Sequence, residues 1–379
     1  MNLSNEDNLR MNVLLHQELH AIRIDESKMV VYGLSEKGEA TVPLKPNCKD
    51  EAYIKQVKEL ISAHVLGSPG GYPIFLRRWT RMGQSNTGQS RTEESLERLL
   101  LLGESEAIVA VVNAEKVSNE IARRAWWAMP AASNARCLLR HEDVINGDIG
   151  KELAEFLVEF LPFEEDPGAM IESARLVLQE NLITKDVSDG LWKKGQRKNA
   201  LLVGFLKTLP DNLPIESAEH KSLSSIKEKL IALEDNVYAN IILRVLSKEG
   251  QAYLNTVEMI IKKPSNQDVV ISLFNTIKNY FQTVRPNDAE YQDIDILFVD
   301  VDKYVDVTAT QVEDLKLVLK IAPELTNVIK PILVLSLLGE SLLSPIFSRT
   351  DAIGSLMRKK IAHITTPLLK EISELTGKV

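Results

Sequence analysis

Apolar residues recur at helical spacing through most of the 379-residue chain. In "GKELAEFLVEFLP", Leu153, Phe156, Leu157, Phe160 and Leu161 fall at i, i+3, i+4, i+7 and i+8, which draws one stripe down a 3.6-residue helix. "QDVVISLFNTIKNYF" repeats the pattern with Val270, Leu273, Phe274, Ile277 and Phe281. The first 50 residues break it. "HAIRID", "KMVVYGL" and "EATVPL" are short runs with β-branched residues, separated by the turn-forming "DESK" and "SEKGE", and they predict a small antiparallel meander. An amphipathic helix is expected over roughly 50 to 66, with Gly67 as its C-cap ahead of a tight Pro-Gly turn.

Punctuation marks further helix starts. Ser90 and Glu93 form a capping box, and Asp166-Pro167 and Thr366-Pro367 each offer an N-cap followed by proline at the first helical position. Ser265 and Asn287, each with a carboxylate three residues on, mark two more. The fold class that follows is mainly α: a helical array of HEAT-like stacked helices, expected over residues 91 to 263, with a small N-terminal β-meander cap. A compact bundle is the alternative, since no motif repeats at a fixed period. Three domains are expected, an α+β cap over 1–90, a helical-array domain over 91–214 and a C-terminal helical domain over 215–379. The last boundary sits in "LPDNLPIESAEHKSLSS", two prolines and a polar run after an apolar helix.

Composition narrows the function classes. With 44% hydrophobic and 26% charged residues the chain is ordinary for a globular protein, and its net charge of −8 argues against a general polyanion binder, though a local basic face stays open. Cys48 and Cys137 lie far apart and outside any CxxC pair, which fits a reducing compartment. The first residues carry acidic groups where a signal peptide would be positive, so the expected location is cytoplasmic. "PILVLSLLGESLLSPIF" is shorter than the roughly 20 residues of a membrane span and is interrupted by Glu340 and two prolines, so it reads as a pair of buried helices.

Four constellations could carry chemistry. All four tryptophans sit in basic company: Trp79 beside Arg77, Arg78 and Arg81, Trp126 and Trp127 beside Arg123 and Arg124, and Trp192 beside Lys193, Lys194, Arg197 and Lys198. Guanidinium groups over indole faces suit a surface that grips a protein partner or stacks bases. The competing reading packs the indoles inside and pairs the arginines with Glu94, Glu97 and Glu120. "LGSPGG" could present backbone N–H groups of Gly67, Gly70 and Gly71 to an anion, but it matches neither a Walker nor a dinucleotide loop. "ILFVDVDKYV" imitates the Asp-x-Asp opening of haloacid-dehalogenase-like phosphatases, with Asp300 as nucleophile and Asp302 as acid/base. Lys303 and Tyr304 depart from that pattern, and a solvated acidic face is the stronger reading. In "HQELH", His16 and His20 could share one helix face at i and i+4, with no third metal ligand indicated.

A resemblance then adds a pathway. "LRMNVLLHQELHAIRIDESKMVVYGLSEKGEATVPLKPNCKDEAYIKQVKEL", "HVLGSPGGYPIFLRRWTRMGQ", "LERLLLLGESEAIVAVVNA", "ARRAWWAMP" and "LAEFLVEFLPFEEDPGAMIESARLVLQ" resemble the sulfur reduction protein DsrS family over roughly residues 9 to 214. The resemblance implies a cytoplasmic accessory of sulfur oxidation, encoded alongside reverse dissimilatory sulfite reductase, with no established cofactor, substrate or catalytic set. The functional expectation is therefore a non-enzymatic interaction or regulatory protein with a protein partner and no cofactor. Its binding surface would be Arg77, Arg78, Trp79, Arg81, Arg123, Arg124, Trp126 and Trp127, and nucleic acid is a weaker reading for the same surface. The alternative is a nucleotide- or phosphate-binding enzyme using the glycine loop or the Asp300/Asp302 pair.

Overall fold

The computed structural model describes residues 3–67, 93–233 and 235–378. The chain is mainly α-helical with a three-stranded antiparallel sheet near its N-terminus, and its contacts fall into two compact units, Met1–Phe160 and Leu161–Val379.

The first unit opens with α1 (Asn5–Leu15), then β1 (Leu19–Asp25), β2 (Val30–Ser35) and β3 (Gly38–Pro43), each strand overlapping one of the β-branched runs and extending one residue past it, and α2 (Asp50–Leu66). The strands pair in order, with Ile22 opposite Gly33 and Val31 opposite Val42. Helix α1 was not signalled by the meander reading. Ser4 caps it by accepting a hydrogen bond from the Asp7 N–H. Met11, Leu14 and Leu15 then join Ile22, Val31 and Val42 of the sheet and Tyr53, Ile54, Val57 and Ile61 of α2 in one core. Gly67 closes α2 in the left-handed conformation at φ 70°.

The unit continues with α3 (Glu93–Leu100), α4 (Ser105–Val112), α5 (Asn119–Ala128), α6 (Ala132–Leu138), α7 (Glu142–Ile145) and α8 (Asp148–Phe160). Helices α3 and α5 pack on β1, and α5 and α6 pack on α8.

The second unit holds α9 (Pro167–Val177), α10 (Lys185–Gly195), α11 (Asn199–Thr208), α12 (Leu223–Ile231), α13 (Val237–Leu246), α14 (Lys248–Lys262), α15 (Gln267–Tyr280), α16 (Ile294–Gln311), α17 (Glu313–Ile321), α18 (Thr326–Ser336), α19 (Ser344–Phe347) and α20 (Gly354–Leu375). The proline-containing stretch after α11 runs inside this unit as a strap, because α11 packs on α9 before it and on α14 and α15 after it. Helices distant in sequence also meet: α20 packs on α14 and α18, and α15 packs on α18. Among the described residues no helix is long and apolar enough to cross a membrane.

Some helix starts fall where the residues place them and others do not. Asp166 caps α9 through the Ala169 N–H, with Pro167 in the first turn. The start marked at Ser265 shifts by one residue, since Asn266 is the cap of α15. Asn287 starts no helix; its side chain accepts from the Ala289 N–H in a local turn instead. Thr366-Pro367 does not begin one either, because Pro367 lies inside α20. An interior proline costs a helix about 3 kcal/mol. The buried stripe Ile361, Ile364, Leu368, Ile372 and Leu375 offsets that, at roughly 1.5–3 kcal/mol per buried aliphatic side chain.

Candidate functional site

Helix α5 carries the described half of the arginine-tryptophan group. Ile121, Ala122, Ala125, Trp126 and Ala128 form its buried face. Trp126 is only 7% exposed, meets Phe156 edge to face with ring centres 4.8 Å apart, and donates its indole N–H to Glu152 at 2.8 Å. Arg124 is pinned between Glu97 (2.7 Å) and Glu120 (3.0 Å), and Arg123 pairs with Asp148. The Asn119 amide and the Arg123 guanidinium hold the Asp148 carboxyl below the ordinary carboxylate range.

Trp127 closes a joint that spacing along the chain could not reveal. The Arg23 guanidinium of β1 lies 4.5 Å from the ring centre of Tyr32 and 4.9 Å from that of Trp127. Glu39 of β3 accepts from the Trp127 indole at 3.0 Å and from Arg23 at 3.3 Å. All four described members of the group are thus engaged within the fold as braces between α5 and its neighbours. Arg77, Arg78, Trp79 and Arg81 lie outside the described residues, as do Gly70 and Gly71 of the glycine loop.

The two metal or phosphate geometries do not form as drawn from the sequence. Asp300 and Asp302 both lie within helix α16, two residues and therefore about 200° apart around its axis, and cannot converge on one ion. Asp300 pairs with Lys303 at 3.2 Å and Asp302 with Lys330 at 2.6 Å. His16 caps the end of α1 while His20 lies in β1, so the two share no helix face. Among the described residues no group of three His, Cys, Asp or Glu side chains is placed to hold a metal ion.

What the second unit does present is an open cleft of about 740 Å³ between the α9–α10 connection and the strap after α11. Its sequence origin is simple. Thr184 caps α10 by accepting from the Val187 N–H. From there Lys185, Ser188, Asp189, Trp192 and Lys193 recur at i, i+3, i+4, i+7 and i+8, so one helical face lines one wall. Trp192 is anchored edge-on against Phe205, with ring centres 5.1 Å apart. Asn181 turns the connection at φ 64°, a left-handed conformation that asparagine tolerates well.

The opposite wall is Leu209 and Asn212–Glu216, an irregular strap with a hydrogen bond from the Ile215 N–H to the Leu213 carbonyl at 2.7 Å. Apolar Leu178, Ile183, Leu213 and Pro214 alternate with the polar groups. No hydrogen bond or ion pair among the described residues engages the side chains of Lys185, Asp189 or Lys193. They are free to meet a ligand.

Comparison with known proteins finds no matching family model, no matching curated protein and no matching solved structure.

Proposed function

We propose that the protein is a non-catalytic accessory protein of sulfur oxidation that holds an extended segment of a protein partner in the cleft of its second unit. The pathway follows from the resemblance over residues 9 to 214. The mode of action rests on one observation: Lys185, Asp189 and Lys193 stand at i, i+4 and i+8 on the α10 wall of the cleft.

Four helical residues rise about 6 Å, and alternate residues of an extended chain are about 6.6 Å apart on one face. A positive-negative-positive ladder on a helix therefore fits an acid-x-base-x-acid segment lying along it as a strand. The competing partners within the chain are weak. The i, i+4 pairs that Lys185, Asp189 and Lys193 could make with each other are worth about 0.2–0.5 kcal/mol at an exposed helix face. Ile183, Leu213, Pro214 and Ile215 of the cleft lining give the segment's other side chains an apolar surface to cover.

The test uses a labelled Glu-x-Lys-x-Glu peptide, its inverse Lys-x-Glu-x-Lys, and the triple variant Lys185→Glu, Asp189→Lys, Lys193→Glu, read by fluorescence anisotropy. The variant is expected to lose roughly tenfold or more in affinity for the first peptide, about 1.4 kcal/mol, and to gain the second. Equal binding of both peptides to both proteins, or no binding at all, overturns the cleft assignment. The pathway has its own check: deleting the gene should slow oxidation of reduced sulfur in the source organism and leave growth on other electron donors intact.

A further inference from the structure

Two imidazoles meet at one end of the first unit. His16 caps α1 and His64 sits in the last turn of α2, and their ring centres are 5.5 Å apart with planes inclined at 56°. Both side chains are exposed. Their separation is set by structure deeper in. Both helices are fixed to the same sheet through Met11, Leu14 and Leu15 on one side and Ile54, Val57 and Ile61 on the other. Near the helix starts, the buried Tyr53 hydroxyl of α2 donates to Asp7 of α1 at 2.5 Å, while the Ser4 N–H donates to the same hydroxyl at 3.2 Å. The pair is therefore carried on rigid elements tied together away from it.

The chemistry of His16 is set by its neighbour. Its Nδ1 is 2.7 Å from the Asn12 carbonyl oxygen, which can only accept, so Nδ1 carries the hydrogen. The neutral ring then has its lone pair on Nε2. A ligating histidine has this arrangement, with one nitrogen bonded to a carbonyl and the other presented to the ion. Two imidazoles bound to one ion at about 2.0–2.1 Å with near-tetrahedral angles place their ring centres about 5–6 Å apart, which brackets the observed spacing.

We propose that His16 and His64 form a two-imidazole site for a divalent transition-metal ion of the zinc, nickel or copper class. Imidazole nitrogen favours these ions over magnesium or calcium, which take oxygen ligands. Among the described residues no group of three candidate ligands is placed to hold an ion, so the site has the two imidazoles as its protein ligands.

The full chain is titrated with Cu2+ alone near pH 7.5, followed by calorimetry and by the nitrogen hyperfine pattern in electron paramagnetic resonance. One ion per chain with a two-imidazole pattern is expected, and His16→Ala or His64→Ala should each weaken binding roughly tenfold or more. Both side chains are exposed, so circular dichroism should be unchanged in the variants. His20→Ala should bind as the parent does. Titrations that coincide for the parent, His16→Ala and His64→Ala, or a parent that shows no two-nitrogen pattern, would overturn the site.

Discussion

Replacing Gly250 with alanine is expected to destabilise the second unit by about 3 kcal/mol or more, the reverse of what alanine does in an ordinary helix. Helix α13 ends and α14 begins around a single residue, Ser247, which caps both. Its hydroxyl donates to the Arg244 carbonyl at 2.8 Å and accepts from the Gly250 N–H at 3.1 Å. A β-carbon at 250 would stand 2.1 Å from the Arg244 carbonyl oxygen and 2.5 Å from that of Val245. Those obstacles are backbone, and they cannot swing aside.

They are also held from behind. Arg244 chelates Asp211 through two hydrogen bonds of 2.8 and 2.6 Å, and Gln251 donates to the Val245 carbonyl at 3.0 Å. The helix-propensity gain of alanine over glycine, about 1 kcal/mol, is too small to offset a displaced corner. Gly190 in α10 supplies the contrast, because a β-carbon there meets nothing within 4 Å. Gly190→Ala should stabilise by about 0.5–1 kcal/mol. Urea unfolding of both variants checks the pair. A Gly250→Ala protein as stable as the parent would show that the corner yields easily.

Glu371→Gln is expected to stabilise the protein above neutral pH by about 2–3 kcal/mol and to flatten part of its pH dependence. Glu371 projects from α20 and is 7% exposed, with its Oε2 making no hydrogen bond. Burial first, and then the nearby Glu374, push its carboxyl up from 4.5 to about 7. Lys330 and Lys370 pull it partly back, and Asp302 adds to the rise.

A folded-state value above the unfolded one means that the folded chain holds the proton more tightly. The stability from this group is complete below about pH 4.5 and is lost as pH rises through about 7. Glutamine keeps the neutral form at every pH. The readout is the difference in unfolding free energy between parent and variant at pH 5 and pH 8, which cancels groups common to both. A difference that stays constant between the two would show that Glu371 is ionised without penalty.

Much of the fold could be read from residue order because it rests on local chemistry. Each of the three β-branched runs supplies most of one strand, and Val270, Leu273, Phe274, Ile277 and Phe281 are all buried as their spacing requires. Two helix starts failed for different reasons. At Pro367 a long apolar stripe carried the helix through, and at Asn287 the cap residue closed a turn instead.

The candidate site was harder. Arg123, Arg124, Trp126 and Trp127 are adjacent in the sequence, but what they do depends on Glu39, Glu97, Asp148 and Glu152, scattered from 39 to 152. Of these only Glu97 was signalled as a partner. The cleft had a legible half, the polar 3-and-4 spacing from Lys185 to Lys193, and an illegible one. Residues 209–216 look like a linker in one dimension and become a wall only when α11 folds back against α9.

Every residue of the first compact unit precedes every residue of the second. On a ribosome, Met1–Phe160 can therefore collapse and expel its water while later codons are still being translated, without waiting for any distant strand or helix to return. The second unit has no such freedom, since α20 must arrive before α14 and α18 are covered, and their apolar surfaces stay exposed until residues 354–375 have been made. The second half therefore spends longer with uncovered apolar surface during synthesis than the first.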